Sequence, residues 1–391
     1  MVFRPAAVLL SVLLLLLLVL GELQQSEAKR KRRKVVDAAD PQPTPAYDPL
    51  DVYSEPPSAD ESRLITPRGI ACRRMVTIPS EQQGWLTPVE VQELNSQLEE
   101  CGFLYFAPGS AVSEAWVEAA HRKVRRVWGA FQAKPELAKR YATPIPAGGK
   151  RVDIVIPPEQ PDEPGGGAFN DSMFHDGFAP ALFQLLDAGL EDCCSLQMMV
   201  VKNALHQTRT GNPDTDGREQ TWHDDSLPGL FDQQFGVAVA LHEMESGQIA
   251  VQPGCFPPEG FHHRTASEES KGDDAPQEPP CFSTPGFAPE RIAAGTVLLH
   301  RARLRHRGLW NAASSPHPNR FNLQLNIAPL YGWQQVFAET TAHGQGLWAR
   351  IHQHRRTHFE SRVKEVLAHA ASRSGDESSA SATAKASENE L

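Results

Sequence analysis

From Leu196 onward the chain breaks into short apolar runs separated by turns, and the last run alternates cleanly. Phe321, Leu323, Leu325 and Ile327 fall on one face, with Arg320, Asn322, Gln324 and Asn326 on the other. A period of two is that of a β-strand whose faces meet different surroundings. The other runs are Leu196 to Lys202, Gly236 to Leu241, Ile249 to Val251 and Thr296 to His300, spaced as in an all-β sandwich or barrel. With 32 prolines and 28 glycines the chain has turn residues to match. Residues 259–290 interrupt the series as a polar excursion too long for a simple turn.

Helices flank this region. Thr87-Pro88-Val89-Glu90 is a capping box with proline at the first helical position, and Leu86 and Val91 stand where a hydrophobic staple would put them. Val91, Leu94, Leu98 and Cys101 share one face, and Gly102 ends the helix. Phe103 to Phe106 follows as a strand. A second helix is expected from Ser113 to Phe131, with Trp116, Ala120, Val124, Val127 and Phe131 inward, and a third from Phe174 to Leu190. Residues 333–372 read as one or two more, whose His352, His354 and His358 sit among arginines as solvated surface. The fold class is therefore mainly β with flanking helices, α+β.

One cluster of residue types carries chemistry. Trp222, His223, Asp224 and Asp225 precede the later strands, and His300, His306 and Arg320 follow. On a strand His223 and Asp225 project from one face while Asp224 points away. Two histidines and a carboxylate form the facial set of non-haem Fe(II) oxygenases, which leaves positions open for O2 and a co-substrate. By itself His-x-Asp also suits a surface turn with aspartate capping an amide. The polar row beginning at Arg320 adds weight, because polar side chains on an apolar strand need either a polar cavity or a wet outer face. Arg320 can grip a carboxylate in bidentate fashion.

Both ends of the chain point to an address. Arg4 precedes an apolar stretch from Ala6 to Leu20, and Ser26-Glu27-Ala28 offers a small-residue cleavage site. The stretch is short for a membrane span and suits a signal peptide, residues 1–28, with an uncleaved anchor as the alternative. Residues 29–63 form a basic run, Lys29 to Lys34, and then a Pro- and Asp-rich disordered linker. The folded part is expected to be a single domain over 64–372, with a helical part 64–192, a β core 193–332 and C-terminal helices 333–372. Residues 373–391 are a low-complexity tail whose last four, Glu388-Asn389-Glu390-Leu391, resemble an endoplasmic-reticulum retention signal. These features favour the lumen of that compartment, with secretion as the alternative. There the six cysteines face an oxidising environment. Cys255 and Cys281 are placed to staple the excursion, while Cys72, Cys101, Cys193 and Cys194 leave the pairing open. Asn170-Asp171-Ser172 is a glycosylation sequon. The net charge of −10 gives no reason to expect a nucleic-acid partner.

These motifs together resemble the phytanoyl-CoA dioxygenase family of Fe(II)/2-oxoglutarate oxygenases, over about Leu86 to Pro329. The likeness lies in the Thr-Pro-x-Glu helix followed by Gly102-Phe103, and in Trp222-His223-Asp224-Asp225 for W-H-x-D. It continues in Glu245-Ser246-Gly247-Gln248 leading to Val251-Gln252-Pro253-Gly254, and in Gly295-Thr296 through His306, Asn311 and Arg320. Thr296 replaces the usual Asp, Cys255 and Phe256 replace Ser-His, and the loop from His306 to Arg320 is long for the family. The resemblance implies a double-stranded β-helix of jelly-roll or cupin-like type. It implies His223, Asp225 and His306 as metal ligands, with His300 the runner-up for the last, and Arg320 and Lys202 as contacts of 2-oxoglutarate. The implied cofactors are Fe(II), 2-oxoglutarate and O2, with ascorbate as an accessory. The implied reaction is hydroxylation of an organic substrate with release of succinate and CO2, and the substrate class is open between a small molecule, a lipid and a protein side chain. Two alternatives stand beside it: a silent lumenal or secreted binding protein of the same fold, and a cupin-type metalloenzyme that does not use 2-oxoglutarate.

Overall fold

Helix α1, Pro88–Cys101, starts at the capping box. The Thr87 hydroxyl accepts from the Glu90 amide at 3.3 Å, and the Glu90 carboxylate accepts from the Thr87 amide at 2.7 Å. Glu90 is nonetheless buried, and its second oxygen is satisfied by Gln82 Nε2 at 3.0 Å. Gly102 closes the helix at φ 86°, a conformation that costs glycine little. The chain then enters β1, Phe103–Phe106. Helix α2, Glu114–Ala133, is capped by Ser113 and buries Trp116, Ala120, Val124 and Phe131, with Val127 partly covered.

The computed structural model describes residues 64–134, 136, 142–144, 151–154, 156, 167–170, 173–188, 196–208, 222–225, 234–244, 249–258, 279–284, 286–289, 291–309, 319–329 and 357–373. The terminal segments that resemble a signal peptide, a linker and a tail lie outside these residues, as do His352, His354 and Asn311. Among the described residues no helix is long and apolar enough to cross a membrane.

The helix expected from Phe174 to Leu190 is two helices, α3 (Met173–Asp176) and α4 (Pro180–Ala188). The break falls at Gly177 and Phe178, where the chain leaves the helix before Pro180. A side chain at Gly177 would lie 2.5 Å from the Met173 carbonyl and 2.8 Å from the Trp116 ring, Phe178 bridges to Val112, and Pro180 cannot donate to a continuing helix. Helix α5 covers 357–373 and packs Phe359, Val363 and Val366 into the main core.

Among the described residues, nine strands form two antiparallel sheets. After β1 come β2 (Ala142–Pro144), β3 (Arg151–Ile154), β4 (Leu196–Thr208), β5 (Phe235–Ala240), β6 (Ile249–Val251), β7 (Val297–Arg301), β8 (His306–Gly308) and β9 (Asn319–Pro329). The larger sheet runs β1-β7-β5-β9-β4-β3-β2, and the smaller is β6 with β8. One face of the larger sheet, carrying Leu104, Phe106, Val237, Val239, Leu299, Leu323 and Leu325, packs with the helices. The opposite face, with Phe103, Tyr105, Ala238 and Leu298, meets Ile249 and Val251 of the smaller sheet. Antiparallel sheets with helices on one side make this an α+β protein.

The polar excursion is shorter than its expected 259–290. Its last part is packed: Pro280–Ser283 forms a 3-10 turn, and Phe287 is fully buried, bridged to Val251 by two backbone hydrogen bonds of 2.8 Å. Phe287 packs near Phe103 and Tyr105, although it stands alone between Pro285-Gly286 and Ala288-Pro289 with no apolar run around it. Two disulfides join described residues, Cys72–Cys101 and Cys255–Cys281. The second explains why cysteine stands at position 255 after the Pro253-Gly254 turn.

Candidate metal centre

His223 lies on a single antiparallel bridge to His306 rather than in the longer strand expected for it. The two backbones exchange hydrogen bonds of 2.9 and 2.8 Å, and the Asp225 amide donates to the Ala302 carbonyl at 2.8 Å. Gln234 Nε2 holds the Asp225 carbonyl at 3.0 Å. The pairing is enough to place His223 and Asp225 on the inner side together. Their donor atoms, with one from His306, lie within 4.8 Å of one another. Asp225 Oδ1 is 3.7 Å from His223 Nε2, and its Oδ2 is 3.6 Å from His306 Nε2.

His306 is buried, and its Nδ1 lies 2.9 Å from the Leu304 carbonyl. That contact assigns the proton to Nδ1 and leaves the Nε2 lone pair facing Asp225. Burial opposes charging of His306, but the Asp225 carboxylate outweighs it, so the net effect raises the imidazole pKa above its ordinary value. Two imidazole nitrogens and one carboxylate, gathered with one histidine already oriented, fit a divalent transition metal of the nitrogen- and oxygen-preferring kind.

His300 is not one of the three donors. It lies beside them, its ring centroid 4.8 Å from that of His306. Its Nδ1 meets the Arg301 carbonyl at 3.0 Å. Burial, followed by the neighbouring His306, pulls its pKa down to about 4, so it is a neutral imidazole at ordinary pH. The ring occupies the space above Gly236, its partner across the β5–β7 pair: a Cβ there would lie 2.2 Å from His300 Nε2.

Arg320 stands at the start of β9 on the face opposite the helix-packed Phe321 and Leu323. It is buried, and its guanidinium donates to the Leu309 carbonyl, three residues past His306. Asn322 follows on the same face, buried, with an Oδ1 that accepts no hydrogen bond from the described residues. Gln324 is half-buried. Lys202 is paired with Gln324 across β4 and β9, but its side chain, like that of Asn326, lies outside the described residues. The structure thus gathers His223, Asp225 and His306, brings Arg320 to the end of the strand that bears His306, and sets His300 behind them.

Sequence reasoning missed β8 as a strand and the layer on its outer side. The alternation of Arg303, Arg305 and Arg307 around Leu304 and His306 was the available signal.

No protein-family model matches the chain, and no curated protein is similar to it. Among solved structures, AviO1 from Streptomyces viridochromogenes Tue57 is 14% identical, aligning 63% of this chain with 97% of that one at a TM-score of 0.39. The non-haem alpha ketoglutarate dependent carbocyclase SnoK from nogalamycin biosynthesis is 17% identical over 61% of this chain and 83% of its own, with a TM-score of 0.38. The epimerase SnoN, solved with Fe3+, alpha ketoglutarate and nogalamycin RO, is 15% identical over 62% and 84%, at 0.39. Alignments this loose fix neither the fold nor the reaction of this chain.

Proposed function

We propose that this chain is an Fe(II)- and 2-oxoglutarate-dependent dioxygenase with a double-stranded β-helix core, which hydroxylates an organic substrate and releases succinate and CO2. The observation that carries the reading is the convergence of His223, Asp225 and His306 within 4.8 Å, with the buried Arg320 donating to the Leu309 carbonyl just past His306. Iron bound there supplies activation of O2. The protein's part is positional. His306 presents Nε2 because Leu304 holds its other nitrogen. Asp225 balances the charge of the cation, and as a retained carboxylate it fits hydroxylation rather than halide transfer. Arg320 binds the distal carboxylate of 2-oxoglutarate, a planar fork meeting a planar anion. Buried His300, packed over Gly236, limits water behind the ligands. Lys202 is a second contact for the co-substrate. The two disulfides support an address in the secretory pathway.

The test is spectroscopic. Anaerobic addition of Fe(II) and then 2-oxoglutarate should produce a metal-to-ligand charge-transfer band, and O2 should then yield succinate. His223→Ala should remove the band, and Arg320→Ala should demand far more 2-oxoglutarate to produce it. Metal binding without any band would favour a cupin-type enzyme that does not use 2-oxoglutarate, and no metal binding would favour a silent binding protein.

A further inference from the structure

The segments that carry the three ligands have an outer face as well as an inner one. From 303 to 307 the chain alternates, with Leu304 and His306 buried and Arg303, Arg305 and Arg307 half-buried on the other side. The Arg305 guanidinium lies 3.5 Å over the Phe282 ring and 5.8 Å over the Trp222 indole, and that of Arg307 lies 4.6 Å over the same indole. Arg305 also donates to Gln252 Oε1 at 2.9 Å and to the Phe282 carbonyl at 3.3 Å. Gln252 Nε2 in turn donates to the carbonyls of Phe282 and Thr284, at 3.2 and 2.7 Å. The indole fits only because residue 286 is glycine, since a Cβ there would lie 2.4 Å from Trp222 Cη2. The Cys255–Cys281 disulfide holds Phe282, the next residue, against this layer.

Trp222 is one peptide away from His223. From His223 to Asp225 the backbone is held by the His223–His306 bridge and the Asp225–Ala302 bond, and Trp222 stands at the open end of that pairing. Stacking the indole beneath two guanidiniums holds that end from the side-chain layer, because cation–π contact is orientation-dependent and tightens as water is excluded.

We propose that Trp222, Arg305, Arg307 and Phe282 form a clamp that positions His223 for the metal, anchored by the Cys255–Cys281 disulfide. The inference rests on the reading of His223, Asp225 and His306 as a metal centre. These are positioning residues, since none of them lies among the donors. The clamp makes a prediction opposite in sign to that of simple electrostatics. Removing a positive charge beside a cation site should strengthen cation binding through Coulomb's law, whereas removing a clamp arginine should weaken it.

The experiment uses the full chain, stripped of metal and titrated anaerobically with Co(II), with the visible ligand-field absorption as the readout. Arg305→Met and Arg307→Met should each weaken Co(II) about tenfold, the scale seen when a residue supporting a ligand is lost, and should alter the band shape. Arg305→Lys should recover part of the loss, and Cys255→Ser combined with Cys281→Ser should also weaken binding. Arg303→Met removes the same charge from a residue that lies over Phe256 instead, and should bind Co(II) no more weakly than wild type. If Arg305→Met fails to fold, Arg305→Lys and Arg307→Met read the same quantity. Clamp variants that bind Co(II) as tightly as wild type or tighter, with an unchanged band, would overturn the clamp and leave the metal centre standing. A wild-type chain that binds no Co(II) would overturn both.

Discussion

Gly236→Ala should disrupt the site from behind without touching a ligand. The added Cβ would sit 2.2 Å from His300 Nε2, 2.5 Å from Cε1 and 3.0 Å from Cδ2. Ordinary contact begins at 3.4 Å, so the ring must retreat by about 1.2 Å or β5 must part from β7. Neither movement is free. The ring is fully buried with His306 on one side at a centroid distance of 4.8 Å, and β5 is paired on both edges, with β7 and β9. Overpacking of this kind costs about 1–3 kcal/mol, which at roughly 2 °C per kcal/mol for a large domain lowers the melting temperature by about 2–6 °C. A ring forced toward His306 should also weaken Co(II) binding. The decisive comparison is a double-mutant cycle with His300→Ala, in which the clash has no partner. In that background Gly236→Ala should be neutral or slightly stabilising, as alanine normally is relative to glycine within a strand. Additive losses in the cycle, or a Gly236→Ala protein that melts and binds metal as wild type does, would refute the packing of His300 over Gly236 as the cause.

Other outcomes follow from the same geometry. Asp225→Ala should abolish Co(II) binding while Asp224→Ala retains it, a contrast read directly by titration. In the metal-free protein, His300 has a folded pKa of about 4 against about 6.5 unfolded. Its depressed value means the unfolded chain binds the extra proton, so stability should be lost as pH falls from about 6.5 to 4, by up to about 3 kcal/mol. Denaturant titrations across that window should show a shallower loss for His300→Gln, and an equal slope would count against the burial argument. Replacing Cys72 and Cys101 by serine opens a loop with a separation of 29 residues and should cost about 3.5 kcal/mol in denaturant unfolding.

Local signals in the chain were readable where chemistry and geometry coincide within a few residues. The capping box at Thr87, the glycine stop at Gly102 and the Phe103–Phe106 strand sit where the sequence places them, because each depends only on neighbours in the chain. The two-residue spacing separated Asp225 from Asp224 for the same reason. What escaped the sequence depends on residues far apart. Position 177 must be glycine because Trp116 and the Met173 carbonyl occupy the space a side chain would take, and nothing near position 177 announces that. Gly236 and Gly286 look like ordinary glycines until His300 and Trp222 are seen above them. Phe287 gave no signal because a single buried aromatic among Pro, Gly and Ala has no period. β8 is only three residues long, and most of the arginine alternation that leads into it, from Arg303 to Arg305, lies before the strand begins.

The mutual backbone bond between His223 and His306 has a thermodynamic consequence. Two of the proposed ligands are brought together by a pairing that the unfolded chain lacks, and the third hangs from the Ala302 carbonyl on the same segment. A metal that binds the gathered set and not the open chain stabilises that pairing by mass action, by about 2.7 kcal/mol when free metal exceeds its dissociation constant a hundredfold. Iron would then act as a late fastener of the fold as well as a reagent, and a chain starved of metal would be recognised first by the fraying of its smaller sheet.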